Sequence, residues 1–226
     1  MSKFLLFALL TMLTGSPWTA LLVVLALSLI FDYHYMGVSR SAVSWIKTAG
    51  EIRELQADVS LNPHNAAAQN DLGRLLILNG RAREAVAPLE RAIERLDDLD
   101  ETNYYLGLAY LNTGREQEGE ARIEKALAIN PRFRYGEPYL RLGEHYLHTG
   151  RYDDALAMLR TQGEIHTSSV EGLYLLGETH RHMGDPVQAR DAYRASLAAF
   201  RQSPRYKRRE ERRWAWRSRL ALWRYG

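Results

Sequence analysis

Glu144 and His148 stand four residues apart, and Glu178 and His182 repeat the pair 34 residues further on. Side chains at i and i+4 share a face of a helix, so each pair would present a carboxylate beside an imidazole. Two such pairs hold donor types that bind zinc. Helices packed side by side lie about 8–10 Å apart, so the spacing alone does not bring four donors to one ion. A solvated helix face accounts for the pairs, and no metal site is assigned. The chain has no Cys, which removes thiolate metal sites, disulfides and Cys nucleophiles from consideration. The sequence holds neither a phosphate-cradling Gly loop nor a Ser–His–Asp arrangement. No catalytic residue and no cofactor is assigned, and the chain is not expected to be an enzyme.

The elements that would carry these residues are helical. Of the 226 residues 46% are apolar and 25% charged, the balance of a folded protein rather than a disordered one. Charge is unevenly placed. Residues 201–226 hold ten Lys or Arg against two Glu, a net of +8, so within a total of +3 the first 200 residues carry −5.

Before Asp32 the only charged side chain is Lys3. Two apolar runs, residues 4–13 and 18–31, flank Thr14, Gly15, Ser16 and Pro17, where Gly suits a helix exit, Ser an N-cap and Pro the first helical position. Ten and fourteen helical residues rise about 15 and 21 Å against a hydrocarbon core of about 30 Å, so neither run spans a bilayer alone. Residues 1–36 are expected to be a membrane anchor, either one kinked crossing or a re-entrant helical hairpin, with Tyr33 and Tyr35 at the lipid boundary. The absence of a small-x-small cleavage site argues against a cleaved signal peptide. Arg40, Lys47 and Arg53 follow the segment, which favours the cytoplasmic side for what comes after it.

Internal repetition organises the rest. Leu72-Gly73, Leu106-Gly107, Leu142-Gly143 and Leu176-Gly177 recur at spacings of 34, 36 and 34. Seven residues after each of these glycines stands another, Gly80, Gly114, Gly150 and Gly184. Small residues follow in register at Ala85, Gly119, Ala155 and Ala189, then bulky ones at Leu89, Ile123, Leu159 and Tyr193. A small pair lets two antiparallel helices approach, the bulky residues fill around that contact, and the second Gly ends the first helix without a Cβ penalty. Over residues 66–201 the pattern resembles the tetratricopeptide repeat (TPR), a 34-residue helix–turn–helix unit.

The resemblance implies an all-α solenoid of about four repeats. A linking helix at residues 41–61 would cap one end and a basic aromatic helix at residues 205–226 the other, since an uncapped repeat leaves an apolar face open. Pro88 is expected to bend the second helix of the first repeat. Two residues are inserted within 132–137, and Gln162-Gly163 is expected to end the second helix of the third repeat early.

TPR ligands usually lie against the first helices of the repeats. Carried over position by position, the groove would be lined by Asn70 and Arg74, by Glu101, Tyr104 and Leu108, by Glu137, Leu140, Glu144 and His148, and by Glu171, Tyr174, Glu178, Arg181 and His182. This groove is acidic and free of Lys, which suits a basic or mixed peptide segment, or a subunit of a membrane complex, better than a terminal carboxylate. The domain plan resembles bacterial membrane-anchored TPR proteins. The reading is therefore an adaptor at the bacterial inner membrane, its repeats on the cytoplasmic side, recruiting protein partners. The alternative gives the active part to the C-terminal helix, where Trp216, Leu220 and Trp223 share a face among arginines, as a binder of lipid surfaces or nucleic acid. Nucleic acid is the less expected partner.

Overall fold

The computed structural model describes residues 38–225, with three isolated positions before them, Trp18, Thr19 and Val23. The expected anchor at 1–36 lies almost wholly outside the described residues, as does the choice between a kinked crossing and a hairpin. Among the described residues no helix is long and apolar enough to cross a membrane. The chain divides into two compact units, Met1–Asp58 and Val59–Gly226. Helix α1 (Val38–Leu61) provides most of what is described of the first.

The second unit is a succession of helical pairs: α2 (Ala66–Leu78) with α3 (Ala82–Leu96), α4 (Asp100–Leu111) with α5 (Glu116–Ile129), α6 (Glu137–His148) with α7 (Tyr152–Ile165), and α8 (Val170–His182) with α9 (Pro186–Gln202). Helix α10 (Arg208–Tyr225) follows and packs on α8 and α9. Each pair turns on a glycine with positive φ, Gly80, Gly114, Gly150 and Gly184, at 73°, 85°, 80° and 79°. In the first turn Arg81 N–H donates to the Leu76 carbonyl at 2.9 Å and Gly80 N–H to the Ile77 carbonyl at 3.0 Å, the paired bonds of a Schellman ending. Asn65, Ser169 and Asp185 cap α2, α8 and α9 with their side chains, satisfying amides that a helix start leaves open.

The small residues set how closely the paired helices approach. A Cβ on Gly107 would lie 2.5 Å from Ile123 Cγ1 and 2.9 Å from the Gly119 carbonyl oxygen. In the second repeat, where Gly119 stands in the position held by alanine elsewhere, the two backbones meet almost directly.

One expectation fails here. Helix α7 runs through Gly163 to Ile165, because Gln162 is buried and its side chain lies against Gly172 of the next helix. Tertiary contact there outweighs the cost of one glycine in a helix, about 1 kcal/mol. Helix α3 carries Pro88 within it and continues to Leu96.

The inserted residues change the third junction. Phe133–Gly136 forms a short turn in which Arg134 and Tyr135 take left-handed backbone angles, φ 47° and 57°, ahead of Gly136 at 77°. Left-handed backbone costs a non-glycine residue roughly 1–2 kcal/mol. Contacts hold it: Phe133 packs edge-on against Tyr104 at 5.4 Å, and Arg134 Nη1 donates to the Tyr105 hydroxyl at 3.1 Å. Through Arg134, which also pairs with Glu137, this turn links α4 to α6, while α2 contacts α4 and α6 contacts α8.

Candidate functional site

The first helices α2, α4, α6 and α8 carry a row of charges. Arg74 lies 3.3 Å from Asp71 and 3.9 Å from Glu101 of the next repeat. Glu137 pairs with Arg134 of the inserted turn and lies 4.0 Å from Arg141. Arg141 Nη1 is 2.6 Å from Glu144 and 2.8 Å from Glu171 on the following first helix. Glu178 accepts from Arg181 at 2.8 Å and from the Tyr193 hydroxyl.

Electrostatics follow from this convergence. Burial opposes the charge of Arg141, but Glu171 and Glu144 more than offset it and hold the guanidinium above its ordinary pKa. Burial also raises the Tyr193 hydroxyl, reinforced by its bond to Glu178, so it stays protonated and donates. The row therefore alternates in sign. Its ten charged members, Asp71 and the five glutamates against four arginines, sum to −2.

Several expected lining residues are placed elsewhere. Asn70, Tyr104 and Leu140 are buried, not exposed. They share one register position, three before the repeat glycine, and that position faces the neighbouring helix. Leu140 packs with Leu159 and Leu175, and the Tyr104 hydroxyl is buried without a hydrogen-bond partner. Tyr174 is half-buried against Tyr193 and Trp214. His148 and His182 are exposed, and His182 stacks on Tyr152 of α7 at 5.1 Å. Glu144 pairs with Arg141 and Glu178 with Arg181. No grouping that could hold a metal occurs among the described residues. Arg74, Glu101, Leu108, Glu137, Glu144, Glu171, Glu178 and Arg181 are partly exposed.

Arg141 and Arg134 are the residues that the sequence reading missed. For Arg141 a signal exists: Glu137, Arg141 and Glu144 follow an i, i+4, i+7 stripe. For Arg134 there is none, because its position depends on the left-handed turn.

A second row staples successive repeats together. Tyr110 donates to Glu90 at 2.9 Å, and Arg115 holds the same carboxylate at 2.7 Å while lying 3.8 Å over the Tyr110 ring. Tyr146, Glu120 and Arg151 repeat the arrangement, and burial with the bond to Glu120 pushes the Tyr146 hydroxyl up to about 12. In the fourth repeat His180 and Asp185 occupy the Tyr and Arg positions, and the staple is replaced by a buried imidazole and an N-cap.

Glycine-hinged helical pairs, presenting one charged face from their first helices and closed by a terminal helix, define a helical-repeat protein. The chain belongs to the tetratricopeptide-repeat family: tetratricopeptide-repeat models match residues 52–101, 110–171 and 171–203. Among solved structures it is similar to MamA, with TM-score 0.62 and 21% identity over 73% of this chain and 95% of that one. It is also similar to a thermophilic TPR protein of Thermus thermophilus, with TM-score 0.60 and 20% identity over 82% and 96%. YrrB, described as a TPR protein with an unusual peptide-binding site, gives TM-score 0.57 at 15% identity over 79% and 90%. These likenesses show the fold. A BBSome complex member BBS4 homolog of Drosophila melanogaster is 28% identical over 150 residues, 62% of this chain but only 31% of that protein.

Proposed function

We propose that this chain is a membrane-anchored adaptor that recruits a protein partner through the first-helix face of α2, α4, α6 and α8. The observation that carries the reading is the charge row Arg74–Glu101, Glu137–Arg141–Glu144–Glu171 and Glu178–Arg181. Each carboxylate retains acceptor capacity beyond its arginine, and the arginines divide the face into alternating patches. Such a surface favours an extended segment of mixed charge with a basic balance, rather than a uniformly basic one. The peptide-binding site named for YrrB and the complex membership named for the BBS4 homolog support an interaction role. The apolar, nearly charge-free sequence of residues 1–36 supports the anchor. The basic residues after it support the cytoplasmic side for the repeats, and the resemblance to bacterial membrane-anchored TPR proteins supports the bacterial inner membrane.

The test is affinity capture with the full chain from gently solubilised membranes, comparing wild type with Glu101→Lys/Glu144→Lys, beside a thermal melt of each. These two glutamates are more exposed than Glu171 and Glu178. Reduced capture with an intact melt supports the reading, as does weakening by salt, which screens exposed charges over about 8–10 Å. Undiminished capture by a normally folded variant overturns it.

A further inference from the structure

Helix α10 is two-faced. Trp214, Ala215, Ser218 and Ala221 are buried; Trp214 packs on Tyr174, and the Ser218 hydroxyl meets that of Ser196 at 2.9 Å. The opposite face carries Trp216, Leu220 and Trp223 at i, i+4 and i+7, which are 63%, 50% and 83% exposed. At a helical period of 3.6 residues Arg209, Arg212, Arg213 and Arg219 fall on the same arc, while Glu210 and Glu211 fall outside it. Among the described residues Arg212 and Arg219 have no carboxylate partner. The arginines of the repeat face differ: Arg74, Arg141 and Arg181 are each held by acids.

We propose that this outward face docks on an anionic lipid surface, with Trp216, Leu220 and Trp223 entering the boundary between headgroups and acyl chains and the arginines meeting headgroup phosphates. Indole rings prefer that boundary, and a basic rim around an apolar stripe is how an interfacial helix binds. Leu220 between the two indoles favours lipid over nucleic acid, since a base-stacking platform uses flat aromatic faces. The contact is separate from partner capture on the first-helix face, so either can fail alone.

The absence of native Cys makes the test direct. A nitroxide is placed at Leu220→Cys in the full chain, reconstituted in vesicles of phosphatidylcholine alone or mixed with phosphatidylglycerol. In anionic vesicles the label is expected to be shielded from an aqueous nickel chelate and reached by oxygen, while a label at the exposed Asp98→Cys stays aqueous in both. Each basic residue near an anionic surface strengthens binding about fivefold, so adding Arg212→Gln and Arg219→Gln should lower the docked-to-undocked ratio about thirtyfold. A label at 220 that stays aqueous in anionic vesicles overturns the proposal. So does equal immersion in neutral vesicles, or indifference to the two arginines. Shielding by a single-stranded oligonucleotide but not by anionic vesicles also overturns it and gives the face to nucleic acid.

Discussion

Arg141 and Glu171 join the first helices of the third and fourth repeats through a 2.8 Å contact between Nη1 and Oε1, with 25% and 17% of the two side chains exposed. The same guanidinium nitrogen lies 2.6 Å from Glu144, and Glu137 flanks it at 4.0 Å from Nε. One arginine thus holds a sector that would otherwise be a cluster of carboxylates, and it couples repeat stability to the charge of the proposed binding face.

Arg141→Met is therefore expected to cost about 1–3 kcal/mol, less than breaking a fully buried pair because a quarter of the side chain meets solvent. Denaturation of the full chain in detergent measures it. An unchanged midpoint would show that the three glutamates tolerate their own repulsion.

The repeat glycines should separate by what surrounds them. Gly107→Ala meets backbone, the Gly119 carbonyl oxygen, as well as Ile123, and should destabilise by about 1–3 kcal/mol through overpacking. Gly143→Ala meets chiefly the Leu159 side chain, which can rotate away, and the better helix propensity of alanine returns up to about 1 kcal/mol. Gly114→Ala meets nothing within 4 Å but keeps a φ of 85°, so its cost is backbone strain of about 1–2 kcal/mol. Thermal melts of the three variants should rank Gly107→Ala below Gly143→Ala. The reverse order would contradict the close approach in the second repeat.

His180 is buried, and burial with the nearby Arg160 charge outweighs Asp185 to hold its pKa below the ordinary value. His166 is lowered too, by burial and Lys207 against Glu211. The unfolded chain then binds protons at about pH 6.5 while the folded chain resists them, so stability is lost as pH falls through that value. The melting temperature should drop between pH 7.5 and 5.5, and His180→Gln should flatten the slope. Equal slopes would assign the pH dependence to other groups.

The two faces of α10 should respond oppositely to truncation. Trp214 is 5% exposed and packed with Val170 and Ala199, so Trp214→Ala should cost about 3–5 kcal/mol. Trp216→Ala and Trp223→Ala remove exposed rings and should stay within about 0.5 kcal/mol of wild type. Urea midpoints in detergent distinguish them. A large loss at Trp223 would mean that the outward face supports the fold.

The sequence by itself determined the repeat. Gly80, Gly114, Gly150 and Gly184 adopt the positive φ that a helix exit requires, and Leu-Gly spacing located the close contacts, because these needs are local and repeat with the unit. Fixed spacing also placed Glu101, Glu137, Glu144 and Glu171 together on the first-helix face. Only the tertiary structure decided how wide that face is. Asn70, Tyr104 and Leu140 sit only about 40–60° around the helix from Arg74, Glu101 and Glu137, and whether such a position is groove or core depends on where the neighbouring helix lies. Charge balance was hidden for the same reason: Arg141 neutralises Glu171 across 30 residues of sequence. The Arg134–Tyr135 turn was invisible because no local preference favours left-handed arginine and tyrosine; Phe133 on Tyr104 and Arg134 on Tyr105 hold it there.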